Sequence, residues 1–143
     1  MGDPVDVITK HLQFHVKKDE IKNITPNVRD ALTSTGLSKG IVTIFVPGST
    51  GAVSTLEYEP GLVDHDIPRF LQDIAPEGNN YAHHQTWGDH NGHSHVRAFF
   101  LKPDITVPFI SGKLSLGTWQ QIVFLNLDER GRTRNLILQF MGT

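Results

Sequence analysis

The chain contains no cysteine. Disulfides and thiolate metal sites are therefore excluded, and any bound metal must use imidazole, carboxylate or carbonyl ligands. It also lacks an excess of either charge. Thirteen Lys and Arg against fifteen Asp and Glu leave a formal net charge of -2. That is not the electrostatic footprint of a nucleic-acid binder, so no nucleic-acid partner is expected. No apolar run approaches the roughly 20 residues needed to span a bilayer, and no membrane partner is expected either. The first residues show no basic start followed by an apolar run, which makes a cytoplasmic location the expectation.

What is present is an ordinary core-forming composition and a concentration of histidine. The 143 residues are 38% hydrophobic and 20% charged, which fits one domain over residues 1–143. Five of the eight histidines fall between Tyr81 and His95. Imidazole is the commonest protein ligand for transition metals and the usual proton carrier near neutral pH.

Apolar spacing sets out the elements. Leu12, Phe14 and Val16 alternate with polar residues and predict a half-buried strand over His11–Lys18. Thr25 is read as an N-cap, Pro26 as the first helical residue and Gly36 as the stop. The apolar run Gly40–Pro47 predicts a strand buried on both faces. Gly48-Ser49-Thr50-Gly51 is a turn, Ala52–Tyr58 a strand, and Gly61–Ala75 an amphipathic helix interrupted near Pro68. The histidine-rich stretch is expected to be mostly loop, feeding a strand over His93–Leu101. Further strands are predicted over Ile105–Ile110, Gly117–Leu127 and Arg134–Met141, the last two joined by a hairpin-like link, Asp128–Arg132. The order gives an α+β fold with two main helices and mixed, mostly antiparallel strands.

If His93-Ser94-His95 lies in a strand, both imidazoles project to the same face. With His83 or Asp89 as a further donor, this makes a site of three protein ligands and an open position for a divalent metal, zinc by ligand type. Asn91 lies close by, whereas His84 and His90 read as surface residues. Glu57 is a candidate general base, set against the plainer reading of an exposed strand end. Arg132 and Arg134 suit an anionic group, with a charged turn as the alternative. Ser49 and Thr50 offer hydroxyls and backbone N–H groups to an anion, without the Lys and spacing of a phosphate-binding P-loop. Gln120 follows Trp119 and is a candidate for ligand recognition, with Trp119 itself read as a core anchor.

Tyr81-Ala82-His83, Asp89-His90-Asn91-Gly92-His93-Ser94-His95, Val107-Pro108, Gly112-Lys113-Leu114, Leu116-Gly117-Thr118-Trp119-Gln120 and Arg132-Thr133-Arg134 together resemble the YjbQ-like family. That family is also labelled secondary thiamine-phosphate synthase. The resemblance implies β-sheets in a sandwich-like packing and a homotrimer with sites near subunit contacts. It further implies a secondary ability to join a pyrimidine methyl diphosphate to a thiazole phosphate with loss of pyrophosphate. The chain departs from many members at Gly48, where they carry a His, and His93 stands as its substitute. The expected function is metal-assisted chemistry on a small phosphorylated substrate; the alternative is a non-enzymatic trimeric module that binds metal or anion.

Overall fold

The computed structural model describes residues 2–143. Strand β1 (Asp6–Val16) is followed by β2 (Ile21–Asn23), α1 (Thr25–Thr35), β3 (Gly40–Phe45) and β4 (Gly51–Glu57). A π-helical segment (Gly61–Asp66) leads directly into α2 (Ile67–Ile74), and α3 (Ala82–Trp87) and α4 (Gly92–Leu101) come next. The chain finishes with β5 (Asp104–Ile110), β6 (Lys113–Leu114), β7 (Gln120–Asn126) and β8 (Arg132–Gly142). The expected α+β class holds, with two short helices, α3 and α4, added to the two foreseen.

The strands form two sheets, ordered β1-β8-β3-β5-β6 and β2-β7-β4. Every strand pair among the described residues is antiparallel. Val42, Ile44, Phe109, Leu136, Leu138 and Phe140 of the larger sheet pack on Val53, Ile122 and Phe124 of the smaller one. Val28 and Leu32 of α1 join this core. The other face of the smaller sheet, with Ala52, Val123 and Leu125, is covered by Leu71 of α2 and Ala98 of α4. The smaller sheet is thus the middle of three layers, and β7 runs through its centre.

This layering corrects the reading of β3. Val42 and Ile44 are buried but Ile41 and Phe45 are exposed, because nothing among the described residues covers the outer face of the larger sheet there. It is β7, not β3, that is buried on both faces. The link after β7 is not a hairpin either. β7 pairs with β2 and β4, while β8 pairs with β1 and β3, so residues 128–131 carry the chain from one sheet to the other.

The α1 start is also built differently from expectation. Ile24, not Thr25, is the capping residue, and the Asn23 side chain accepts the Thr25 N–H at 3.0 Å. The Thr25 hydroxyl instead accepts the Ile122 N–H at 2.8 Å and so ties the helix to β7. Gly36 does end the helix, in the left-handed conformation at φ 72° that glycine adopts without penalty. Pro68 lies in the first turn of α2, and the wider π turn before it accommodates a residue with no N–H to donate backwards.

The largest correction concerns His93–Leu101, which is helix α4 and not a strand. Ser94, Arg97 and Ala98 are buried, a helical spacing, but the outward face carries Val96, Phe99 and Phe100. An apolar outer face hides the alternation by which an amphipathic helix is read.

Gly40 and Gly142 face each other across β3 and β8. A Cβ on Gly40 would collide with the Met141 carbonyl oxygen and press on the Gly142 Cα, and backbone cannot swing aside. Gly40→Ala is expected to lower stability by about 3 kcal/mol in urea unfolding. Gly2→Ala, where a Cβ meets nothing, should change it by less than about 0.5 kcal/mol.

Candidate functional site

The change from strand to helix rearranges the histidines. Residues two apart on a helix point about 200° apart around its axis, so His93 and His95 leave α4 on nearly opposite sides. His93 points inward, only 1% exposed, with its Nε2 at 3.4 Å from the Ser94 hydroxyl and 4.0 Å from Glu77. His95 points the other way, towards α3, where its ring lies against that of His83 with centroids 4.5 Å apart and planes tilted by 37°. The expected pair His93/His95 is therefore replaced by His83/His95.

Asp89 completes this second arrangement. His83 Nδ1 lies 3.1 Å from Asp89 Oδ1, yet that buried nitrogen makes no hydrogen bond. The two atoms are close enough for an ion pair but are not aligned for N–H donation. With its nitrogen turned towards Asp89, the Asn91 amide donates to both carboxylate oxygens, at 3.1 and 3.2 Å. Asn91 also opens α4, its carbonyl accepting the Ser94 N–H at 3.0 Å. His84, read as a surface residue, accepts the Gly92 N–H at 3.0 Å and so fastens α3 to the start of α4. No spacing rule would single out that role.

On its other side His95 meets the Gly48–Gly51 loop. It shares a cavity of about 220 Å³ with Gly48, Ser49, Gly51 and Phe99. Ser49 is exposed there, but Thr50 is buried. Arg134 Nη2 donates to the Thr50 carbonyl (2.9 Å), the Thr50 hydroxyl (3.0 Å) and Asn126 Oδ1 (2.8 Å). Thr50 in turn donates to Asp128, which also accepts from Arg132 at 2.8 Å. Arg134 is 7% exposed and committed to the loop, so Arg132, at the surface, is the cation available to an incoming anion.

Glu57 and Gln120 stand elsewhere. They face each other at the far end of the β4–β7 pair, six residues along β4 from Gly51. At about 3.3 Å per residue this is about 20 Å from the loop beside His95. Within one chain Glu57 cannot serve as the base for His95. Gln120 accepts the Gly117 N–H and donates to Thr55, which holds the turn before β7. Trp119 is 73% exposed rather than a core anchor.

Electrostatics follow from these surroundings. Burial lowers the pKa of His95, and the neighbouring His83 adds to that effect against the pull of Asp89, Asp128 and a backbone bond with Ser49. Burial also lowers that of His93, reinforced by Arg97 and opposed by Glu77. Both rings are neutral at pH 7. Burial pushes the Asp128 carboxyl up, but the bonds from Arg132, the Glu129 N–H and Thr50 outweigh it and hold the group below its ordinary range.

The profile of the family described as "UPF0047 protein YjbQ-like" matches residues 10–143. The chain belongs to the YjbQ-like UPF0047 family. A UPF0047 protein of Archaeoglobus fulgidus is 38% identical over 86% of this chain and 92% of its own. Among solved structures, a YbjQ-like protein of unknown function from Sulfolobus solfataricus is 29% identical, with a TM-score of 0.86 over 96% of this chain and 100% of that one. A hypothetical protein from Aeropyrum pernix is 31% identical, with a TM-score of 0.83 over 94% of this chain and 99% of that one. Both neighbours share the fold over at least 94% of this chain. Among the described residues no helix is long and apolar enough to cross a membrane, and no three His, Asp or Glu donors converge on one point.

For this YjbQ-like chain the two lowered histidines predict a pH dependence. The unfolded chain binds more protons than the folded one once pH drops below the ordinary histidine value of about 6.5. The contribution of His93 and His95 is thus complete above that value and is lost as pH falls through it towards the lowered values. The urea midpoint is expected to decline between about pH 7.5 and pH 5.5, and His93→Gln should flatten part of that decline. A midpoint that stays level over this range would show that the rings titrate normally. The Asp128 contribution persists to lower pH, since it disappears only as the carboxylate protonates.

Proposed function

We propose that this chain is an enzyme acting on a small phosphorylated substrate at the His83–Asp89–His95 cluster, with a divalent ion, zinc by donor type, bound there. One observation carries the reading. His83 Nδ1 is buried with no hydrogen bond, while Asp89 Oδ1 sits 3.1 Å away. His83 and Asp89 would hold such an ion between them. The donor chemistry fits the ion: neutral imidazole and carboxylate. His95, its ring against that of His83, would be the third donor, after a turn of that ring. His93 faces Glu77 and takes no part.

When bound, such an ion polarises an oxygen of the substrate and offsets negative charge on a leaving group. The chain's own groups supply the rest. Asn91 holds the Asp89 carboxylate in place. Gly48, Ser49 and Gly51, in the loop that Arg134 braces at Thr50, line the cavity shared with His95. Arg132, at the surface, is placed to draw in the anion. The specific form of this reading is secondary thiamine-phosphate synthesis. There the bond from the pyrimidine methylene to the diphosphate oxygen breaks, the thiazole nitrogen forms the new bond to that carbon, and pyrophosphate leaves with the electron pair.

The reading includes a homotrimer. Val96, Phe99 and Phe100 of α4 and Trp87 of α3 are exposed, with Phe99 at 74% and beside the His95 cavity. Contiguous apolar surface of this kind marks an interaction face. A non-enzymatic metal- or anion-binding trimer is the alternative built on the same groups.

The test compares the purified protein with His83→Ala/His95→Ala. Metal content should be lost in the variant, and formation of thiamine phosphate from its two precursors should fall at least about 100-fold. Equal metal content in both proteins would dispose of the ion. Metal binding with no turnover would leave the non-enzymatic trimer.

A further inference from the structure

We propose that a second cavity, on the opposite side of α4 from His95, binds a small zwitterion with an aliphatic body, of the α-amino-acid class. The cavity measures about 230 Å³ and lies between β2, β7, α2 and the inward face of α4. It is smaller than the roughly 300–1,000 Å³ of sites for drug-sized ligands, which restricts it to a compact molecule. Ile21, Leu71 and Leu125 give it apolar walls.

Arg97 supplies the first polar anchor. The residue is 5% exposed. Its Nε donates to the Ala75 carbonyl at 2.9 Å and its Nη2 to Gln72 Oε1 at 3.1 Å. These bonds fix the plane of the guanidinium. Nη1 donates to no protein acceptor among the described residues, and no carboxylate hydrogen-bonds to the group. A buried, pre-oriented guanidinium with a free N–H suits a carboxylate.

Asp19 supplies the second. It lines the same cavity, and its carboxylate makes no hydrogen bond or ion pair among the described residues. Its backbone is held at φ 59°, a conformation uncommon outside glycine. Glu77, the other acid in the wall, gives one oxygen to Lys18 at 2.8 Å and keeps the other facing His93 at 4.0 Å. A simple anion would meet Arg97 but lie beside two carboxylates. A simple cation would suit the carboxylates but lie beside Arg97. A neutral apolar molecule would leave the Arg97 donor unmet. A ligand with a carboxylate for Arg97, an ammonium for Asp19 and an aliphatic body for the walls satisfies all three. The site is separate from the His83–Asp89–His95 cluster and stands whether or not that cluster is catalytic.

The test titrates the full chain by calorimetry with leucine, isocaproic acid (leucine without its amine) and isoamylamine (leucine without its carboxylate). Leucine is expected to bind saturably, and each truncated analogue about tenfold more weakly. Asp19→Asn keeps a residue that accepts the left-handed backbone while removing the charge. It should weaken leucine about tenfold and leave isocaproic acid unaffected. The proposal is overturned if leucine shows no saturable binding up to about 50 mM. It is equally overturned if either analogue binds as well as leucine, or if Asp19→Asn binds leucine as the natural chain does.

Discussion

Strand β7 lies between two apolar layers, and a strand so placed must have its polar atoms met by protein rather than water. Ile122 and Phe124 face the larger sheet, while Val123 and Leu125 face α2 and α4. At the end of this run the strand reaches Asn126, which is 1% exposed. Its amide donates to the Lys17 and Arg130 carbonyls and its oxygen accepts from Arg134. Arg134 is consequently drawn inward, and its remaining bonds fall on Thr50. The Gly48–Gly51 loop thus owes its position beside His95 to the polar closure of a buried strand. An arginine that looks like a substrate ligand in the sequence serves first as a brace.

What can be read from the sequence follows the same division between covered and uncovered faces. Leu12, Phe14 and Val16 show a clean alternation, and β1 is found there, because one of its faces meets the core and the other meets solvent. The pattern is misleading where the outer face is apolar but uncovered. Ile41 and Phe45 make β3 look doubly buried, and Val96, Phe99 and Phe100 make α4 look like a strand. Both errors have one cause: apolar residues on surfaces that the single chain leaves open. The crossing between sheets at Asp128 was illegible for another reason. A short polar link after a strand looks the same whether the next strand pairs with it or joins the opposite sheet, and the two differ only in the folded pairing, here with Asp128 bonded to Thr50 and Arg132 at the crossing.

The histidine cluster was legible as a cluster but not as a geometry. His83, Asp89, Asn91 and His95 do come together, along with Ser49 and the Thr50–Arg134 brace. A period of two groups His93 with His95, and a helix separates what a strand would unite. Glu57 and Gln120 do face each other, as cross-strand partners, but at the far end of the sheet. Glu77, Arg97 and Asp19 form a group that no local spacing announces, since their segments are brought together only by the packing of α2 and α4 on β7.

Helix α4 therefore does more than connect. One side presents His95 to α3 and to the loop beside Gly48; the other sends His93 and Arg97 towards Glu77 and the cavity under α2. A charge or ligand on either side acts on the same short rod, ten residues long. Its start is fixed by Asn91 and by the bond from Gly92 to His84, and its middle is pinned by Arg97 to the Ala75 carbonyl. Gly92 sits where a Cβ would press on the Tyr81 side chain, so the approach of this end of α4 to the segment before it depends on glycine. The requirement on Gly92 is set by close packing against α3 and not by its backbone angles.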